Sequence, residues 1–256
     1  MAAPPVSKNQ IKYLQSLKLK KYRQKYDSFI VEGRKVVGEA LQGKFLKIKA
    51  LYATLQWISD PKNKTDTQNI PVYLLSEPLL KKVSSLVTPD QVMAECAIPP
   101  FKAPQADGTG WIIFLDAISD PGNLGTIIRT ADWFGVNQLV LAPGTADCYN
   151  PKCVQASMGS VTGMSLAYLN FQALLEYLPQ HPIYIATMLG TSAAKLINPQ
   201  PGILVIGSES HGISEEILQY PHRKISIPKA PSSQAESLNA AMATTALLSL
   251  LTLSRL

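Results

Sequence analysis

Polar and glycine residues follow three short apolar runs in the second half of the chain. They occupy positions 119–123, 207–212 and 228–239. If the apolar runs are parallel strands, these loops leave the carboxyl ends of the strands, where ligands bind in open α/β sheets. One such loop is a weak sign, because Asn, Ser and Glu also cap helices and form turns. Three of them in one domain predict a shared ligand site.

Ligand motifs of several other protein classes are absent from the sequence. It contains no G-x-G-x-x-G dinucleotide fingerprint, no G-x-x-x-x-G-K-[ST] phosphate loop and no G-x-S-x-G nucleophile elbow. The histidines His181, His211 and His222 lack the spacing of metal ligands, so we predict no metal site. His211 lies within a candidate loop and could still line a site.

The elements that must position these loops alternate along the second half. The apolar run 111–115 predicts a buried strand, and apolar residues then recur at helical spacing until Gly135. A long final helix is expected from about Ala235. Further strands are predicted at 136–141, 161–169, 183–189, 203–206 and 225–227. This alternation predicts an α/β fold with a mostly parallel sheet and helices on both faces.

The first half predicts a separate, small α/β/α domain that begins with one amphipathic helix within residues 7–25. Residues 99–110 contain three prolines and two glycines, a composition typical of a linker. We therefore predict a first domain at 1–98, a linker at 99–110 and a second domain at 111–256.

Positive charge is concentrated in the first half. Residues 1–100 hold 16 Lys/Arg and 8 Asp/Glu, a net of +8, whereas residues 101–256 hold 8 and 10, a net of −2. Such asymmetry favours a polyanionic partner, and nucleic acid is the usual one. Lysines interleaved with tyrosines at 7–25 suit phosphate contact and base stacking. The alternative is a solvated, lysine-rich surface without a ligand.

No run of 18 apolar residues occurs, so no membrane span is expected, and residues 1–15 lack the apolar core of a signal peptide. The three cysteines Cys96, Cys148 and Cys153 are an odd number without metal-ligand spacing. Reduced, packed thiols and a cytoplasmic location are therefore predicted.

Three ordered motifs carry a family resemblance. They read DPGNLGTIIRTA at 120–131, IGSESHGIS at 206–214, and IP followed by ESLNAAMA at 236–243. They resemble the motifs of the SpoU (TrmH) family of RNA ribose 2′-O-methyltransferases. The sequence within 11–41 also resembles the ribosomal-protein-like substrate-binding domain that precedes the catalytic domain in many members.

The resemblance implies a C-terminal domain with a deep trefoil knot, a homodimer, and S-adenosyl-L-methionine as the cofactor. It places the cofactor mainly on backbone around Gly207, Ile227 and Leu238. The catalytic positions of the family fall on Asn123, Arg129, Glu209, Ser237 and Asn239. The chain departs from the family pattern twice, with Gly-Ser-Glu at 207–209 instead of Gly-Asn-Glu, and with no glycine shortly after Ile-Pro.

The implied chemistry suits these residue types. An arginine donates hydrogen bonds rather than accepting them, so we interpret Arg129 as a fork onto the phosphate next to the target ribose. Asn123 and Asn239 would orient the ribose and phosphate, Glu209 would position Asn123 or Arg129, and Ser237 would bind phosphate or cap the last helix.

Ribosomal RNA is the expected substrate, because the first domain resembles the version found on rRNA-modifying members. A tRNA 2′-O-methyltransferase and a non-catalytic RNA-binding protein are the alternatives. A nucleotide-binding oxidoreductase is disfavoured by the missing glycine fingerprint.

Overall fold

The computed structural model describes residues 3–43, 46–63, 67, 69–105 and 110–252. Its helices are α1 (Lys8–Ser16), α2 (Lys20–Tyr26), α3 (Arg34–Gln42), α4 (Leu55–Ser59), α5 (Glu77–Val83), α6 (Pro121–Trp133), α7 (Pro151–Ala156), α8 (Phe171–Tyr177), α9 (Glu215–Leu218) and α10 (Ala240–Thr252). Its strands are β1 (Ser28–Glu32), β2 (Ile48–Ala53), β3 (Val72–Leu74), β4 (Val92–Ala97), β5 (Ile112–Asp116), β6 (Gln138–Leu141), β7 (Ser165–Tyr168), β8 (Ile183–Ser192), β9 (Ile203–Gly207) and β10 (Arg223–Ser226).

Two compact units divide the chain. The first comprises Met1–Pro100 with Asp147–Gly163, and the second comprises Phe101–Ala146 with Met164–Leu256. This grouping differs from the predicted domains mainly in residues 147–163, which the sequence placed in the second domain. The predicted boundaries, with a first domain at 1–98, a linker at 99–110 and a second domain at 111–256, stay a prediction.

The first unit is built on a four-stranded sheet in the order β1-β4-β2-β3. β4 is antiparallel to both β1 and β2, while β2 and β3 are parallel. Alternate residues of the central strands, such as Tyr52 and Met93, pack with Leu14 of α1 and Leu80 of α5. Two-residue periodicity on the strands and apolar faces on the helices therefore build this core.

The expected single helix within 7–25 is wrong, because two helices occupy this stretch. Ser7 begins α1 with a capping box, in which its hydroxyl accepts from the Gln10 amide and the Gln10 side chain accepts from the Ser7 amide. Leu19 then adopts an extended conformation before α2. The carbonyls of Leu17 and Lys18 accept hydrogen bonds from the Arg23 guanidinium. The spacing of apolar residues along the sequence does not reveal these contacts.

The second unit contains a six-stranded sheet in the order β10-β8-β9-β5-β6-β7, and every recorded strand pair is parallel. The predicted α/β fold with a parallel sheet between helices is confirmed. β5 is buried along its whole length because it lies inside the sheet, between β9 and β6. Its Phe114 packs with Phe171 of α8 on one face of the sheet.

The last helix begins at Ala240 rather than at about Ala235, so the predicted start is wrong. Asn239 supplies the reason: its side-chain oxygen accepts from the amides of Ala241 and Met242, as a helix N-cap does. Residues 235–239 therefore lie before the helix. No helix within the described part of the chain is long and apolar enough to cross a membrane.

Gly190 lies in β8 at a position where the backbone of the paired strand β10 approaches very closely. A Cβ atom at this position would lie 2.7 Å from the backbone of Ile225 and of Lys224. The register of the β8–β10 pair also shifts between these two residues, and Ser226 donates to the Gly190 carbonyl at 2.8 Å. Only a residue without a side chain fits there without moving backbone.

We expect Gly190→Ala to destabilise the second unit by about 1–3 kcal/mol, because the added methyl group overpacks a backbone contact. Thermal and urea unfolding measure the change. Gly38→Ala in α3 is the matched control, since a Cβ there meets nothing within 4 Å; it should be neutral or stabilise by up to about 1 kcal/mol. Equal stability of the two variants would contradict the close approach.

Candidate functional site

The first candidate loop leads from β5 into α6 and fixes Asn123. Asp120 caps α6 by accepting from the backbone amide of Asn123 at 2.8 Å, and Pro121 occupies the first turn. The carboxylate–amide cap places Asn123 in the first helical turn, beyond the carboxyl end of β5. This contact gives Asp120 a structural role at the start of α6.

The second loop presents Glu209, which collects donors from the other two loops. Its Oε1 accepts from Asn123 Nδ2 at 2.5 Å, from Asn239 Nδ2 at 3.3 Å and from the Ala240 amide at 3.4 Å. One carboxylate oxygen therefore joins residues that lie 86, 30 and 31 positions away in sequence.

The third loop contributes Asn239, whose amide orientation is set from both ends. Its oxygen accepts from the first amides of α10, so its nitrogen must face Glu209 and also donates to Asn123 Oδ1 at 3.0 Å. Asn123 Nδ2 in turn donates to Glu209. We name Asn123, Glu209 and Asn239 the amide–carboxylate cluster.

The loop that carries Glu209 is tightly closed. Ser208 and Gly212 exchange two backbone hydrogen bonds of 3.1 and 2.9 Å, and Gly212 adopts a positive φ of 68°. A Cβ atom on Gly207 would lie 2.3 Å from the Gly212 carbonyl oxygen. The loop therefore requires glycine at both of these positions.

Asp116 holds both ends of this loop. Its backbone pairs with Gly207 in the β5–β9 register, and its buried Oδ2 accepts from the Ser214 amide at 2.7 Å. Its contacts show that it positions the loop from which Glu209 projects.

A cavity of about 640 Å³ opens beside the amide–carboxylate cluster. This volume is within the range of small-molecule sites. Its walls are mainly apolar. The cavity is lined by three residues predicted to bind the cofactor and two predicted to be catalytic: Gly207, Ile227, Leu238, Glu209 and Ser237.

One wall of the cavity was not predicted as part of a site. It comes from β8 and includes Ile185, Thr187 and Met188. The apolar run 183–189 indicated a strand, but nothing in the run showed that this strand lines a cavity. Only the strand order, with β8 beside β9, reveals this.

The remaining predicted residues lie outside the amide–carboxylate cluster. Ser237 is exposed and lines the cavity, while Asn239, not Ser237, caps α10. Arg129 is exposed on α6, and among the described residues no hydrogen bond or ion pair joins it to the cluster. His211 is exposed and braces its own loop through Ser208 and Ser210.

The histidines and cysteines to which the metal and redox predictions refer all lie among the residues that the structure describes. Within the described ranges, no group of three or more His, Cys, Asp or Glu is arranged to hold a metal ion. The side chains of Cys96, Cys148 and Cys153 are buried. Burial raises the pKa of the Cys96 thiol to about 12, so this side chain stays a protonated thiol.

Both parts of the chain match known families. Residues 110–249 match the SpoU rRNA Methylase family, and residues 8–94 match the MRM3-like substrate binding domain. The Bacillus subtilis 23S rRNA (guanosine(2553)-2′-O)-methyltransferase RlmP is 31% identical over 93% of this chain and 94% of its own length. The human mitochondrial rRNA methyltransferase 3 is 25% identical over 91% of this chain and 69% of its own length.

Two solved structures share the fold. A putative RNA methyltransferase of the TrmH family from Porphyromonas gingivalis has a TM-score of 0.83 and 38% identity, covering 96% of this chain and 98% of that one. An AdoMet-bound rRNA methyltransferase from Sinorhizobium meliloti has a TM-score of 0.86 and 27% identity, covering 99% and 98% of the two chains.

We expect Asp116→Ala to weaken the affinity for S-adenosylmethionine about tenfold, because the loop beside the cavity loses its hold on the Ser214 amide. A hydrogen bond to a charged acceptor contributes roughly 1.5–3 kcal/mol. Asp116→Asn, which keeps an acceptor oxygen, should stay within about threefold of wild type. Calorimetric titration measures both variants, and circular dichroism monitors folding. Wild-type affinity in a folded Asp116→Ala variant would contradict this positioning role.

Proposed function

The chain belongs to the SpoU rRNA methylase family, and we propose that it transfers a methyl group from S-adenosylmethionine to a ribose 2′-hydroxyl of ribosomal RNA. One observation supports this most directly. The cavity lined by the predicted cofactor residues adjoins the cluster of Asn123, Glu209 and Asn239. A methyl donor in the cavity would thus lie beside side chains able to orient its acceptor.

The cavity fits S-adenosylmethionine in size and chemistry. Its apolar side chains, including Ile206, Ile227 and Leu238, suit the faces of an adenine ring. Glu209 places negative charge at the same cavity, which complements a sulfonium cation. When bound, this cofactor supplies an electrophilic methyl group.

The cluster would fix the target nucleotide rather than take its proton. Glu209 holds the Asn123 amide nitrogen, and Asn239 holds its oxygen, so both amides are oriented before RNA arrives. Orientation of a bound hydroxyl toward the methyl group accounts for much of the rate in such transfers. Ser237, which is exposed and lines the cavity, would contact a phosphate of the same strand.

Arg129 is the proposed electrostatic group. It is a solvent-exposed cation on α6, the helix whose first turn contains Asn123. Its planar guanidinium would fork onto the phosphate next to the target ribose and stabilise charge that develops on the 2′-oxygen. The proton would leave through the phosphate or water, since arginine donates and does not accept.

Ribosomal RNA is the proposed substrate because the chain's relatives include rRNA methyltransferases that match it along most of its length. The first unit matches a substrate binding domain, and residues 1–100 carry a net charge of +8. The excess of cations supports binding of a polyanion there.

A homodimer with a C-terminal trefoil knot, located in the cytoplasm, belongs to the same proposal. Exposed Trp133 on α6 and Met242 on α10 support an interface between copies, because α6 and α10 pack side by side. The knot is supported by family membership. The odd number of cysteines, without metal-ligand spacing, supports a reducing compartment.

We expect the purified protein to transfer labelled methyl groups from S-adenosylmethionine to rRNA extracted from cells that lack it. The modified nucleotide should resist alkaline cleavage, since 2′-O-methylation blocks the internal nucleophile, and mapping will locate it. The same rRNA from cells that contain the protein should accept little label. Methyl transfer to tRNA but not to rRNA would identify a tRNA 2′-O-methyltransferase, and RNA binding without methyl transfer to any RNA would identify a non-catalytic RNA-binding protein.

Arg129→Lys should lower kcat for methyl transfer about 100-fold, because an ammonium keeps the charge but cannot fork onto the phosphate. Removal of one preorganised donor typically costs about 2.7–4 kcal/mol in the barrier. The affinity for S-adenosylmethionine should not change, as Arg129 does not line the cavity. Steady-state assays at saturating cofactor and RNA measure kcat, and single-turnover assays measure the rate of the transfer step itself. Retention of most of the rate by Arg129→Lys would show that the forked contact is dispensable.

A further inference from the structure

Helix α2 presents an unusually basic surface in the first unit. Four of its seven residues are Lys or Arg, and none is acidic. Lys20, Lys21 and Lys25 are exposed, whereas Arg23 is buried. Within the described ranges, the recorded ion pairs are Arg23–Asp147 and Arg34–Asp90, so none of the three exposed lysines is paired with a carboxylate.

Two tyrosines share this surface with the lysines. The rings of Tyr22 and Tyr26 are nearly parallel, with 12° between their planes and 6.2 Å between centroids. The Lys21 ammonium lies 4.9 Å from the Tyr22 centroid, and the Lys25 ammonium lies 5.3 Å from that of Tyr26. Each ring thus has a flexible lysine ammonium over it, in a cation–π contact that a stacking base would displace toward its own phosphate.

The surface is held in place by buried contacts beneath it. Arg23, only 2% exposed, donates from Nε and Nη2 to Asp147 at 3.1 and 2.5 Å, and from Nη1 to the carbonyls of Leu17 and Lys18 at 2.8 Å. At the other end of α2, Lys49 donates to the carbonyls of Tyr26 and Asp27. A seven-residue helix is not stable alone, so these contacts define its position.

The Tyr26 ring is braced as well. It meets Tyr13 edge-on with centroids 5.0 Å apart. The Tyr13 hydroxyl donates to the carboxylate of Glu95 at 2.7 Å, and burial raises the pKa of Tyr13 to about 12, so it remains a donor. Aromatic rings that are already ordered lose little entropy when a base stacks on them.

We propose that the exposed face of α2 binds an unpaired stretch of RNA, with bases stacked on Tyr22 and Tyr26 and phosphates on Lys20, Lys21 and Lys25. This inference rests on the proposed RNA substrate and gives it a contact surface. Stacking on ordered aromatics combined with lysines is how single-stranded nucleic acid is bound without dependence on its sequence. Duplex RNA hides its base faces and gains only the phosphate contacts.

The lysine test uses the full-length protein and a fluorescein-labelled, mixed-sequence single-stranded RNA of twelve nucleotides. The double variant Lys21→Gln/Lys25→Gln should bind about tenfold more weakly than wild type near 0.1 M salt. The slope of log affinity against log salt should fall by about 1.4, since each single-strand phosphate contact contributes about 0.7. Fluorescence anisotropy measures both quantities.

The matched control is Lys81→Gln/Lys82→Gln, which removes the same charge from exposed positions on α5. It should stay within about twofold of wild type. Equal weakening by the two lysine pairs would overturn the proposal, because binding would then follow the overall charge of the unit rather than α2.

The tyrosine test separates stacking from charge. Tyr22→Leu/Tyr26→Leu should weaken single-strand binding at least tenfold with an unchanged salt slope, and should leave binding of the matching duplex unchanged. Tyr177→Leu, at an exposed tyrosine of the second unit, is the control and should have no effect. Unaltered single-strand affinity of the double tyrosine variant would overturn the stacking role.

Folding and methyl transfer distinguish this inference from the proposed function. All variants should melt and bind S-adenosylmethionine as wild type does, because α2 carries none of the cavity residues. If wild-type protein binds the RNA through α2 but transfers no methyl group, the proposed function fails and the α2 surface stands. If it methylates rRNA while the α2 variants bind RNA normally, only the α2 surface fails.

Discussion

The site depends on one carboxylate oxygen, Oε1 of Glu209, which joins the starts of two helices to the loop after β9. Without it, the amide nitrogens of Asn123 and Asn239 would have no common acceptor, and Asn123 would be oriented only through its contact with Asn239. Because Glu209 is exposed, these bonds contribute modestly to stability and mainly to orientation. The sheet makes the junction possible, since β5 and β9 are neighbours and Asp116 is in register with Gly207.

A second polar contact organises the first unit in a comparable way. The Arg23–Asp147 ion pair is buried, and the guanidinium is satisfied further by two carbonyls. A buried pair of this kind contributes little net stability, because both charges must be desolvated, but its geometry is specific. It ties α2 to a segment more than 120 residues later in the chain, which belongs to the same compact unit. In each unit, one charged side chain thus positions several backbone segments: the Arg23 guanidinium in the first unit and the Glu209 carboxylate in the second.

The sequence predicts the features that depend on local periodicity, and it fails where distant residues decide. Apolar runs indicated β5, β9 and the alternation with helices, because buried strands and amphipathic helices leave different patterns. The break before α2 could not be predicted, since it depends on Arg23 reaching the carbonyls of Leu17 and Lys18. The grouping of Asp147–Gly163 with the first unit is equally non-local.

The candidate site shows the same division. The three loops were predictable because turn and cap residues follow apolar strands, and family resemblance selected residues within them. The contacts between the loops were not predictable, since the hydrogen bond between Asn123 and Glu209 spans 86 residues. The β8 wall of the cavity required the strand order, which places β8 next to β9 and near β5, although three α-helices and two strands separate β8 from β5 in the chain.

The two departures from the family pattern have physical explanations in the loops themselves. Ser208 stands where the family has asparagine, and its hydroxyl accepts from the His211 amide at 3.2 Å, a turn contact that asparagine can also make. The loop after Ile227-Pro228 lacks a glycine, yet none of residues 228–239, all described, has a positive φ. Its turn is closed by the Ser233 amide donating to the Ala230 carbonyl at 2.9 Å. Since glycine is required only where φ is positive or backbones approach closely, this loop can line the cavity without one.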